Sequence, residues 1–137
     1  MTVARERKEE AIVQAFRNYV QAFQTLDLHT TLTYFHLPCM FISPQGVHVL
    51  LTAADVETLL TQVMQGLKAR GYARSELLDL HVNQMGSNTA LVTVSRVRYA
   101  ADGQELERFG ETYTLRRIED GWKIVVAMIH DPDVVLR

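Results

Sequence analysis

Cysteine is almost missing from this chain of 137 residues: Cys39 stands alone, so no disulfide can close within it. That scarcity fits a reducing compartment, and the cytoplasm is the expected location. Three prolines and seven glycines are too few for a linker or a low-complexity tract. Long apolar runs are lacking as well. None approaches the length of about 18 residues that a membrane-spanning helix requires, and the first ten residues carry no apolar stretch of the signal-peptide kind. There is no excess of one charge, because 14 Lys and Arg against 16 Asp and Glu leave a net charge of −2. Without a basic field, neither nucleic acid nor an anionic membrane is an expected partner. The chain has no His-x-x-His, Cys-x-x-Cys or His-Glu-x-x-His spacing and no glycine-rich phosphate loop, so neither a metal nor a cofactor is expected.

What is present reads as one globular domain over residues 1–137, with 47% hydrophobic and 22% charged residues. Helical periodicity dominates to about residue 70 and alternation follows. Ile12, Ala15, Phe16, Tyr19 and Phe23 form one stripe of an amphipathic helix. Asp27 caps a second, short helix with the stripe Leu28, Leu32 and Phe35, which Pro38 ends. Residues 39–43 and 47–51 read as a strand pair around Pro44-Gln45-Gly46. Thr52 and Asp55 form a capping box for a third helix, whose stripe is Val56, Leu59, Leu60, Val63 and Leu67 and whose stop is Gly71. Strands are expected over 75–84, 89–100, 104–117 and 122–130, with Asp102-Gly103 and Asp120-Gly121 as hairpin turns.

If both aspartyl-glycine turns are tight, the pairing follows by counting. Arg96 then faces Phe109, Val94 faces Glu111 and Val92 faces Tyr113. In the next hairpin Leu115 faces Val126, Tyr113 faces Met128 and Glu111 faces His130. One face thereby gains an apolar floor, with Arg96, Glu111 and His130 together at one end. A bulge in either hairpin would scatter that cluster. Glu111 with His130 is the candidate acid–base pair, since a carboxylate orients an imidazole, and Arg96 is the candidate group for an oxyanion or ligand acceptor. The alternative for all three is a structural ion pair at the rim of the core. The other face mixes Leu91, Val97, Tyr99, Val125 and Ile129 with short hydroxyls. That suits either a partly solvated sheet or a sheet-to-sheet homodimer.

Tyr34-Phe35-His36 before a strand and Asp120-Gly121-Trp122-Lys123-Ile124-Val125 opening the last strand resemble the nuclear transport factor 2-like superfamily, its SnoaL-like members in particular. The resemblance covers nearly the whole chain. It implies an α+β cone of cystatin-like type, with three N-terminal helices packed on a curved, mainly antiparallel β-sheet. It also implies a pocket between helices and sheet for a small, apolar or amphipathic molecule, and a homodimer through the convex face. Its enzymes include isomerases, dehydratases and cyclases that use acid–base chemistry in an apolar pocket. Ketosteroid isomerase has a carboxylate base near the first strand pair, where this chain has Cys39-Met40-Phe41-Ile42-Ser43 and no carboxylate. SnoaL-like cyclases use an acidic residue near the last strands, a role open to Glu111 or Asp131. The expected site is therefore Glu111 and His130 as catalytic groups, with Arg96, Tyr19, Tyr34, Phe16, Phe109, Tyr113, Trp122 and Met128 around the ligand. The alternative is a non-catalytic ligand-binding or dimerisation module of the same fold.

Overall fold

The computed structural model describes residues 2–119, 121–134 and 136, with side chains from residue 9 onward. Asp120, expected in the last hairpin turn, lies outside the described residues. Two helices come first, α1 (Thr2–Gln24) and α2 (Leu28–Leu32). The hairpin β1 (Phe35–Ser43) and β2 (Gly46–Leu50) follows, then α3 (Ala53–Ala69). The chain ends in a meander of β3 (Tyr72–Gln84), β4 (Thr89–Ala100), β5 (Glu105–Ile118) and β6 (Gly121–His130).

The six strands form one curved sheet in the order β2-β1-β6-β5-β4-β3. Every pairing is antiparallel except β1 with β6. The helices lie on one face and bury it. Ile12, Phe16, Tyr19 and Phe23 of α1 are all in the core, as their spacing predicts. They pack against Val92, Val94, Tyr113, Leu115 and Ile124 of the sheet. In α3 the capping box is complete: Asp55 N–H donates to Thr52 Oγ1, and Thr52 N–H to Asp55 Oδ2. Gly71 stops α3 at φ +75°, a left-handed conformation that glycine adopts without a Cβ clash.

Two boundaries differ from expectation. The second helix ends at Leu32, and Phe35 opens β1 rather than extending the helical stripe. Asp27 does cap it, accepting from Thr30 N–H, but five residues give too little helix to hold a third stripe position. Pro38 sits inside β1, where the ladder with β6 is interrupted between Phe35 and Met40, so its missing N–H costs no ladder bond.

Register decides the site. Between β4 and β5, Arg96 faces Phe109, Val94 faces Glu111 and Val92 faces Tyr113, as counting from Asp102-Gly103 predicts. The route to that register differs, however. Ala100 bonds across to Gln104 around a three-residue loop, with Gly103 at φ +87°, and one extra residue between Glu105 and Glu107 then restores the count. Between β5 and β6 the displacements do not cancel. Ile118 pairs with Gly121, a bulge follows at Val125, and Gly110 ends opposite His130.

Candidate functional site

That last shift moves the end of β6 through one residue. Ala127 now faces Tyr113 and Ile129 faces Glu111 on the helix side, while Met128 faces Thr112 and His130 faces Gly110 on the other side. The expected Glu111–His130 pair is therefore corrected: the two side chains leave opposite faces of the sheet. His130 Nε2 lies 2.7 Å from Thr112 Oγ1, and its Nδ1 lies 2.9 Å from the Asp131 carbonyl oxygen. The carbonyl can only accept, so Nδ1–H donates to it, and Nε2 pairs with the Thr112 hydroxyl. Met128 is likewise removed from the ligand site and lies exposed on the convex face.

Arg96 and Glu111 do meet. Arg96 is 1% exposed, Glu111 7% and Tyr113 0%. Arg96 Nη2 donates both to Glu111 Oε1 and to Tyr113 Oη. The Phe109 ring centre lies 5.5 Å from the guanidinium carbon, so an aromatic face shields the ion pair on one side. Burial by itself pulls the Arg96 pKa down, but the charge of Glu111 and the oxygens of Tyr113 and Tyr19 outweigh it, and the guanidinium is held above its ordinary value. Tyr19 sits in the same cluster, its ring 6.0 Å from Tyr113 and 5.7 Å from Phe35. Burial, reinforced by the Glu111 charge, pushes its phenol up to about 12. Burial also holds Tyr113 well above its ordinary value. Both phenols thus stay protonated and act as hydrogen-bond groups at neutral pH.

A pocket of about 200 Å³ opens onto this network. Tyr19, Phe23, Arg98 and Glu111 form its inner side. Leu59, Leu60 and Val63 of α3 form one wall, and Ala127 and Ile129 of β6 another. Phe41 and His48 close it from the β1–β2 hairpin, with Ile42 and Ser43 at its edge; the Ile42 side chain, opposite Met128, leaves the other face. Arg98 is held firmly, since Nη1 reaches Glu107 Oε1 at 2.7 Å and the guanidinium lies 4.7 Å from the Phe109 ring and 5.3 Å from that of Phe23.

Of the ten residues expected at the site, Glu111 and Tyr19 line this pocket. Arg96 and Tyr113 lie beneath it as the support of Glu111, and Phe109 stacks between Arg96 and Arg98. Phe16, Tyr34 and Trp122 do not line this pocket; with Tyr19, Leu115 and Ile124 they border a separate space of only about 10 Å³, too small for a ligand. Sequence reasoning missed Arg98, His48, Ile129 and the α3 wall. Leu59 and Val63 read as ordinary stripe residues of a buried helix. Arg98 faces Glu107 across the β4–β5 ladder and pairs with it, and Phe23 of α1 lies against the guanidinium. Cys39 is buried, and burial pushes its thiol up to about 11, which fits a packing role. Among the described residues no group of three or more His, Cys, Asp or Glu is placed to hold a metal ion, and no helix is long and apolar enough to cross a membrane.

Helices laid across one face of a curved six-stranded sheet define an α+β cone of cystatin-like type. The profile of the family described as NTF2-like protein (DUF6841) matches residues 8–132, and the chain belongs to that family. Solved structures agree on the fold. An NTF2-like protein with a cystatin-like fold from Novosphingobium aromaticivorans superposes with a TM-score of 0.76 at 19% identity, over 98% of this chain and 90% of that one. An NTF2-like protein of unknown function from Pseudomonas putida gives 0.74 at 16% identity, over 95% and 87%. A ketosteroid isomerase-like protein from Erwinia carotovora atroseptica gives 0.65 at 16% identity, over 88% and 93%. No curated protein matches the chain significantly.

Proposed function

We propose that this protein binds a small, mainly apolar molecule in the pocket between α3, the β1–β2 hairpin and the helix-facing side of the sheet. The observation that carries the reading is the placement of Glu111. Its carboxylate lines an otherwise largely apolar pocket and is fixed there by a buried arginine. A polar group immobilised at the floor of an apolar cavity supplies orientation, and the walls supply affinity.

A second reading keeps the pocket and adds proton transfer of the isomerase, dehydratase or cyclase kind, with Glu111 acting without His130. It is favoured by Glu111 being the one carboxylate among the residues that line the pocket. One experiment addresses both readings. Ligand-observed NMR with single-ring fragments should detect binding to the wild type. Val63→Trp, which projects an indole from α3 into the pocket and leaves the Arg96 network untouched, should abolish it without lowering Tm. Fragment signals unchanged by the tryptophan would place binding elsewhere. Deuterium uptake at an acidic carbon of a bound fragment, lost in Glu111→Gln, would select the catalytic reading.

A homodimer through the convex face belongs to the same proposal. Its support is a run of apolar side chains on that face: Val47 and Val49 of β2, both 58% exposed, Met40 and Ile42 of β1, and Met128 of β6, 37% exposed.

A further inference from the structure

We propose that the ligand of this pocket is a neutral, single-ring molecule carrying a carbonyl-type acceptor at one end and a hydroxyl or N–H donor at the other. The inference rests on the pocket reading and narrows it to a chemical class. It starts from Arg98. The side chain is only 14% exposed, yet among the described residues its one hydrogen-bond acceptor is Glu107 Oε1. Its Nη2 has no acceptor among the described residues. A guanidinium offers five N–H donors. One held between two phenyl rings by an ion pair, with donors unspent on the wall of a pocket, is placed to receive an oxygen.

The other polar end is Glu111, which shares the pocket lining with Arg98 and can only accept while ionised. The two groups therefore ask for complementary ends of one molecule. Charge sets the rest. Arg98 is paired with Glu107 and Glu111 with Arg96; the second cation on Glu107, Arg70 at 3.5 Å, is half exposed and screened by solvent, so the lining itself carries one charge of each sign, each with a partner. A carboxylate or ammonium ligand would add an uncompensated charge to an apolar cavity, at a desolvation cost that a neutral ligand avoids. Size agrees. A pocket of about 200 Å³ lies below the usual range of drug-sized ligand sites, which suits a single substituted ring.

A near-isosteric series tests this by titration calorimetry. 4-Hydroxyacetophenone carries both ends, 4-methylacetophenone lacks the donor, 4-ethylphenol lacks the carbonyl, 4-ethyltoluene lacks both, and 4-hydroxybenzoate adds a charge. The first should bind about tenfold or more tightly than either single-ended compound, as one charge-assisted hydrogen bond is worth that much. Arg98→Met should remove the advantage of 4-methylacetophenone over 4-ethyltoluene and leave 4-ethylphenol unaffected. If that variant does not fold, the ranking on the wild type decides. Equal binding of 4-ethyltoluene, or tighter binding of 4-hydroxybenzoate, overturns the proposed class while the pocket reading stands. No binding by any member, including 4-ethyltoluene, overturns both.

Discussion

At the residue scale the molecule turns on a charged pair set inside its core. Arg96 carries no solvent-facing surface of consequence, and its Nη2 is shared between Glu111 and Tyr113. Such a pair is weak evidence for net stability, because desolvating two ions offsets most of their attraction. Breaking it is another matter. Arg96→Met should leave the Glu111 charge buried without its partner and lower the unfolding free energy by about 3–5 kcal/mol. The double variant Arg96→Met/Glu111→Leu removes both charges and should regain most of that loss. Urea denaturation of the two variants checks the argument, and a double variant no more stable than the single would show that packing rather than charge dominates. The neighbourhood of Arg96, Glu111 and Tyr113 was legible in the sequence because alternation along two strands sets a shared face, and because the three-residue loop at Asp102-Gly103 and the bulge beyond it cancel. What those residues do was less legible. Burial turned Arg96 from a ligand contact into the support of Glu111, and burial depends on what the helices cover.

At the scale of elements the bulges carry the lesson. Residues 104–118 and 121–130 show no proline, and nothing in their alternation marks where an extra residue enters. In the first hairpin a three-residue loop and a one-residue bulge compensate, so counting from Asp102-Gly103 reached the right pairing by a different path. In the second, one residue remains uncompensated, and His130 and Met128 changed faces. Gly110 shows why this register is held. A Cβ there would lie 2.7 Å from the Asp131 carbonyl oxygen and 2.7 Å from the His130 ring. The absence of a side chain lets the imidazole pack against β5 and reach Thr112. Gly110→Ala should therefore push His130 off its seat and cost about 1–3 kcal/mol, as other overpacked sites do. Thermal unfolding gives the cost, and the His130 ring resonances should change. An alanine variant with wild-type Tm and unchanged imidazole signals would mean that the contact yields freely.

On the scale of the whole molecule, the sheet divides two jobs between its faces. The architecture was legible because turn residues, the capping box and the helical stripes are local signals that agree with one another. The pocket was not, since its walls come from Tyr19, Val63, Arg98 and Ile129, residues far apart in sequence that only the closed fold brings together. The convex face was half legible. Its expected apolar residues included Val97, which is fully buried within one chain, and Ile129, which belongs to the pocket. Tyr99 is already covered by the Arg74 guanidinium 4.2 Å from its ring. The apolar surface that remains open lies further along, in two rows across the sheet. Val47, Ile42 and Met128 form one row, and Val49, Met40 and Val126 the other. β2 is also an edge strand, with a free backbone ladder beside those rows. A two-fold contact there would cover both the side chains and the edge. Sedimentation equilibrium should therefore find a wild-type dimer. Val49→Glu with Met128→Glu should leave a folded monomer, because both side chains are exposed and neither supports the core. Tyr99→Glu should leave the dimer intact. A wild-type protein that stays monomeric across the accessible concentration range, or a doubly charged variant that remains dimeric, would remove this face from the interface.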